Sequence, residues 1–158
     1  MGTAVSIRDV VDAFETAPDE ASSFVNRATG DVLTVLQEHL DLAEDDSPRE
    51  MADWEQEMVA EAKGILESDD WIALPTKFER HEWKILDEFG RSLPTESERM
   101  AVADAIHRSG AFQNFKATVR RLGIEPAWFA YKTRALETIA RDWLTHNGFE
   151  CLDAPMRP

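Results

Sequence analysis

Apolar residues recur along this chain at two periods, and the change from one to the other marks out its elements. Ile7, Val10, Val11 and Phe14 stand at i, i+3, i+4 and i+7 behind Ser6. That spacing predicts a helix from Ile7 to about Ala17, capped by Ser6 and closed by Pro18. Residues 22–27 and 32–36 then form two short runs rich in β-branched and apolar positions, separated by Ala28-Thr29-Gly30-Asp31. A Gly/Asp turn between such runs predicts a hairpin. The acidic, polar stretch 41–47 reads as a loop.

Ser47-Pro48-Arg49-Glu50 carries a cap, a proline at the first helical position and a carboxylate behind it. It predicts a helix to about Ser68 that turns Met51, Trp54, Met58, Ile65 and Leu66 inward. Trp71-Ile72-Ala73-Leu74 reads as a short strand stopped by Pro75, and residues 79–92 as a helix burying Ile85, Leu86 and Phe89. Thr95-Glu96-Ser97-Glu98 is a capping box opening a helix with Met100, Ala103 and Ile106 inside. Gly110 breaks it, and its small size suggests a close approach of two helices. Residues 111–122 place Phe112, Phe115, Val119 and Leu122 on one stripe, with Gly123 as the C-cap. Pro126 opens a last helix with Trp128, Leu136, Ile139, Ala140 and Trp143 on one side, ended by Asn147-Gly148. Residues 149–152 return as a short strand, and Pro155 and Pro158 mark a frayed tail. The sum is a helix-dominated α+β fold of about six helices. Its small antiparallel sheet is built on the N-terminal hairpin, in a single domain over residues 1–153 with a tail at 154–158.

Composition adds bounds. With 158 residues, 43% of them hydrophobic, the chain can bury a core without disulfides or a structural metal. Its lone cysteine, Cys151, excludes an internal disulfide framework and any multi-cysteine metal site, and is expected to be a buried apolar residue. No apolar run is long enough to span a bilayer, and the N-terminus lacks the basic-then-apolar layout of a signal peptide, so the expected location is cytoplasmic. The formal net charge is −14, which opposes a non-specific role on nucleic acid or an anionic membrane for the molecule as a whole. That average hides an asymmetry. Residues 1–107 carry 9 Lys/Arg against 26 Asp/Glu, whereas residues 108–141 carry 7 against 2. Either the two zones pair with each other, or one of them faces a partner.

Motifs for chemistry are sparse. Seven glycines form no phosphate-cradling loop, and the four histidines (His39, His81, His107, His146) lie apart with no metal-binding spacing. No catalytic residue, metal ligand set or cofactor is assigned. The carboxylates Glu55, Glu57 and Glu61 form an acidic helix face suited to a basic protein partner. Against it stands a basic, aromatic segment. Phe112, Phe115, Lys116, Arg120 and Arg121 are followed by Trp128, Tyr131 and Lys132 in the next helix. Cations interleaved with aromatics serve single-stranded nucleic-acid binding, and the short connection 122–126 has the look of a helix-turn-helix. The same aromatic spacing is more often that of a core stripe.

Several stretches together carry a resemblance. Trp71-Ile72-Ala73-Leu74-Pro75, Glu82-Trp83-Lys84-Ile85-Leu86-Asp87-Glu88-Phe89, Gly110-Ala111-Phe112-Gln113-Asn114-Phe115-Lys116, Trp128-Phe129-Ala130-Tyr131 and Ala140-Arg141-Asp142-Trp143-Leu144 occur in that order. With the upstream Thr29-Gly30-Asp31 turn, the chain resembles an uncharacterised bacterial protein family, number 0158 of the UPF series, over roughly residues 5–150. The resemblance implies a small cytoplasmic bacterial protein of unknown function and supplies no catalytic residue. Three functions are thus in play. The first is a non-enzymatic acidic module that binds another protein. The second is nucleic-acid binding through residues 111–134 within the basic zone 108–141. The third is an enzyme with a dispersed site using His81 or His107.

Overall fold

A computed structural model describes residues 2–18, 20–45, 50, 52–76 and 79–153. Among them are seven helices, a three-stranded antiparallel sheet and a parallel strand pair, an α+β fold dominated by helix. The chain divides into two compact units: Met1–Thr76 with Ala140–Pro158, and Lys77–Ile139.

The first unit opens with β1 (Ala4–Ser6) and α1 (Ile7–Thr16). Ser6 caps α1, its hydroxyl accepting the Asp9 N–H at 3.2 Å, and Ile7, Val10, Val11 and Phe14 are buried as the spacing requires. The hairpin forms from β2 (Ala21–Asn26) and β3 (Val32–Leu36), with Phe24 opposite Leu33 and Val25 opposite Val32. The Asn26 carboxamide accepts the N–H groups of Ala28 and Thr29 at 2.7 and 3.0 Å and so templates the turn. Gly30 sits at φ +79°, and a Cβ there would collide with the Ala4 carbonyl oxygen, so the turn is seated against β1. On the other edge of β2 runs β4 (Trp71–Ala73), which makes the order β3-β2-β4.

Between hairpin and β4 lie α2 (Gln37–Glu44) and α3 (Asp53–Glu67), packed together over a core of Val35, Leu40, Ala43, Ala62 and Ile65. The stretch expected to loop from Asp41 is helical as far as Glu44. Gln37 Nε2 donates to the Asp41 carboxylate at 3.0 Å, one turn along that helix. The start expected at Ser47, Pro48 and Arg49, and the inward Met51, lie outside the described residues; so does the tail at 154–158. Glu50 and Ala52 are described and are not helical, so α3 starts later than expected. Its N-cap Ala52 has only a methyl group and makes no side-chain cap hydrogen bond, and Asp53 and Glu55 in the first turn favour the positive end of the helix instead.

The expectation that Trp54, Met58 and Leu66 point inward is corrected: they are 61%, 47% and 43% exposed. Leu66 is turned about 100° round the helix from buried Ile65, and for Trp54 and Met58, which share the Ile65 face, the cause is length. An eight-residue α2 spans about 12 Å and a fifteen-residue α3 about 22 Å. The buried positions of α3 are confined to Ala62 and Ile65, towards its C-terminal half. β5 (Glu150–Leu152) forms as expected, but it runs parallel to β1, with Val5 opposite Cys151.

The second unit holds α4 (Glu82–Arg91), α5 (Glu96–Ile106) and α6 (Ala111–Leu122). The last helix, α7 (Glu125–His146), begins in it and continues past the division at Ala140. Phe89, Phe115, Trp128 and Tyr131 form its aromatic core, with ring centroids 4.6–6.1 Å apart. Thr95 caps α5 as the capping box predicts, accepting the Glu98 N–H at 3.2 Å while its hydroxyl donates to the Glu98 carboxylate at 2.7 Å. The stripe inside α5 is Val102, Ala105 and Ile106; Met100 is 64% exposed and Ala103 is exposed too. Of the three residues expected inside, only Ile106 lies on the face shared with Val102 and Ala105. Gly110 does not mediate a close helix approach, because a Cβ there would meet nothing nearer than Asn114 at 4.0 Å. It is needed for its φ of +78°, the left-handed entry into α6. Gly123 ends α6 as predicted.

Candidate functional site

The three carboxylates of the acidic face do not act alike. Helix geometry places Trp54, Glu57, Met58 and Glu61 of α3 at i, i+3, i+4 and i+7, one continuous face, and all four are exposed. Glu55 falls on a different flank and is half-buried. Glu57 and Glu61 form no ion pair or hydrogen bond with a described residue. Like charges one turn apart repel, at a cost of about 0.2–0.5 kcal/mol to an isolated helix. An opposite charge brought by a binding partner would reverse that sign.

The sequence did not point to a second acidic feature of the same unit. A shallow cleft of about 250 Å³ lies between α1 and β3, lined by Asp9, Asp12, Ala13, Thr16, Val32 and Thr34. Asp9 and Asp12 sit one turn apart on α1, but their facing β3 could only be known once the hairpin had folded back. The unit as a whole carries 22 acids against 6 Lys/Arg, a formal −16, whereas the other carries 9 against 11, a formal +2.

In the second unit the basic, aromatic segment separates into its two ingredients. Phe115 is 1% exposed and Trp128 is buried; both face Phe89 in the core and offer no surface for a base to stack on. Phe112 and Tyr131 are half-buried. Burial, and secondarily the negative charge of Glu88, raises the Tyr131 phenol above its ordinary pKa. The cations stay outside: Lys116, Arg120 and Arg121 are exposed and Lys132 is half-buried. None of the four makes an ion pair with a described residue. The contrast with α4 and α5 is local. There Lys84 meets Glu88, Arg91 meets Asp87 and Arg108 meets Asp104, each one turn apart, whereas α6 contains no acid at all.

The residues considered for catalysis stay dispersed. His107 Nδ1 lies 2.6 Å from the Ala103 carbonyl, and its ring meets Trp83 edge to face at 5.5 Å. His81 is exposed in a left-handed conformation, φ 52°, between the paired and largely buried side chains of Arg80 and Glu82. Cys151 is half-buried rather than fully buried, and its sulfur lies 3.8 Å from the Thr145 hydroxyl and 3.9 Å from the Arg141 carbonyl. Among the described residues no three His, Cys, Asp or Glu side chains gather closely enough to hold a metal ion, and no helix is long and apolar enough to cross a membrane. The geometry offers surfaces for recognition: an acidic face edged by Trp54 and Met58, an acidic cleft, and a basic row without an ion pair among the described residues. No family model, no curated protein and no solved structure matches this chain.

Proposed function

We propose that this protein is a non-enzymatic, cytoplasmic interaction module whose α3 face docks a basic segment of a partner protein. One observation carries the reading: Trp54 and Met58 stand exposed beside Glu57 and Glu61, which have no cation of their own among the described residues. Exposed aromatic and Met anchors rimmed by charge are what interfaces select, the anchor supplying affinity and the rim supplying orientation and steering. A formal −16 on the surrounding unit extends the same preference to long range. The resemblance to the uncharacterised bacterial family stands beside this proposal and assigns no residue a role in it.

The test is titration of a synthetic amphipathic helix, bearing two lysines at i, i+4 beside a leucine, into the full chain. Binding should weaken about tenfold or more in E57K/E61K and fall steeply as salt shortens the Debye length. An affinity indifferent to both salt and that substitution overturns the reading.

A second reading, contact with nucleic-acid phosphates, keeps one observation in its favour: Lys116, Arg120 and Arg121 are exposed and have no ion pair among the described residues. The burial of Phe115 and Trp128 removes two of its four stacking residues, while Phe112 and Tyr131 stay half-buried.

A further inference from the structure

The two unsatisfied helix faces are chemical complements. On α3, Trp54 and Met58 run beside Glu57 and Glu61; on α6, the half-buried Phe112 leads a row formed with Lys116 and Arg120. Each row is built on i, i+4 steps, a rise of about 6 Å, so two carboxylates spaced by one turn oppose two cations spaced by one turn. Each like-charged pair is mildly unfavourable on its own helix, and juxtaposition turns both repulsions into attractions. A partner with the required basic row therefore exists wherever this chain exists. Resting on the reading above, we propose that the basic partner is a second copy of this chain, the α3 face of one copy docking on the α6 face of the other.

The contact joins different patches of the two copies. Formed twice about a two-fold axis, each α3 on the other copy's α6, it closes into an isologous dimer; formed once, it stays heterologous and extends into a ring or chain of copies. Ionic strength acts on it in two ways. A net charge of −14 on each copy opposes approach at low salt. The paired rows are themselves screened at about 1 M, where the Debye length is about 3 Å. Association should accordingly peak near physiological salt.

Sedimentation of the full chain from micromolar to submillimolar concentration reads the outcome. The expected result is concentration-dependent association of the natural sequence. E57K/E61K and K116E/R120E, taken singly, should each weaken it about tenfold or more. Mixing the two variants should restore it, because each then carries the complement of the other, and the chain bearing all four changes should associate with itself again. All four positions are exposed, so unaltered helix content and unfolding midpoints separate loss of association from loss of fold. A natural sequence that stays monomeric throughout, or variants that fail to recover on mixing, overturn the inference. If the monomer still binds the lysine peptide through Glu57 and Glu61, the inference falls while the function proposed above stands. If a single-stranded oligonucleotide binds the natural chain but not K116E/R120E, and no self-association is seen, the inference gives way to phosphate recognition by α6.

Discussion

The two units solve the problem of charge differently. In Lys77–Ile139, acids and bases are nearly balanced, and ion pairs one turn apart join Lys84 to Glu88 and Arg91 to Asp87 within α4 and Arg108 to Asp104 at the end of α5. Its interior is an edge-to-face cluster of Phe89, Phe115 and Trp128 with Tyr131 against them. In the unit formed by residues 1–76 and 140–158, acids outnumber bases by 22 to 6, so most carboxylates have no cation within the unit to pair with. Its sheet and α2–α3 core are largely aliphatic, centred on Val35, Leu40, Ala62 and Ile65. A balanced surface is satisfied by its own chain, while a one-signed surface is satisfied by water, counterions or a partner. The exceptions within each unit carry the functional argument: α6, the helix of the balanced unit without an acid, and the α3 face where the acidic unit exposes Trp54.

The largest effect is expected at the aromatic cluster. Phe115→Ala removes a ring that is 1% exposed and packed on Phe89 and Trp128, and should cost about 3–5 kcal/mol. Urea unfolding, with amide-exchange protection in α4–α6, measures it; a cost below about 1 kcal/mol would mean the cluster is not the centre of that unit. In the acidic unit the corresponding weak point is backbone rather than side chain. Gly30→Ala places a methyl group against the Ala4 carbonyl at a φ of +79°, so a loss on the order of 3 kcal/mol is expected, seen as faster amide exchange across β2 and β3. Retention of full protection would show that the turn need not sit against β1. The smallest effect is a dependence on pH. Up to about pH 10 Tyr131 is protonated in both the folded and the unfolded chain, and its contribution is fully present. Above that the unfolded chain ionises first, and stability is lost until the raised folded pKa is passed. Tyr131→Phe should flatten this alkaline fall in urea midpoint, and a slope identical in both proteins would remove Tyr131 as its source.

Local signals were legible in the sequence where a short-range rule sufficed. Ser6, Thr95 and Gly123 announce helix ends because capping is settled within one turn of chain, and residues 28–31 announce a turn for the same reason. The failures share another cause. α2 hid in an acidic stretch because only His39, Leu40 and Ala43 of its eight residues are buried, too few to set up a readable period. Hydrophobicity alone places Trp54, Met58 and Met100 inward, yet a helix buries only the face that a neighbour covers, and sequence does not state the neighbour's length or position. The candidate face was half-legible on the same ground: Glu57 and Glu61 follow from helical spacing, while their companionship with an exposed Trp54 does not. For the basic segment, spacing gave the aromatic stripe correctly but could not say whether that stripe meets solvent or Phe89.

By itself the sequence determined the helix-dominated α+β class, the hairpin, most helix ends and the placement of charge, because these depend on residues a few positions apart. Tertiary structure alone decided the parallel pairing of β1 with β5, the packing of α2 on α3 and the burial of Phe115 beside exposed Lys116. Each of these depends on residues distant in the chain, where the apolar surface removed from water, rather than local preference, selects the partner.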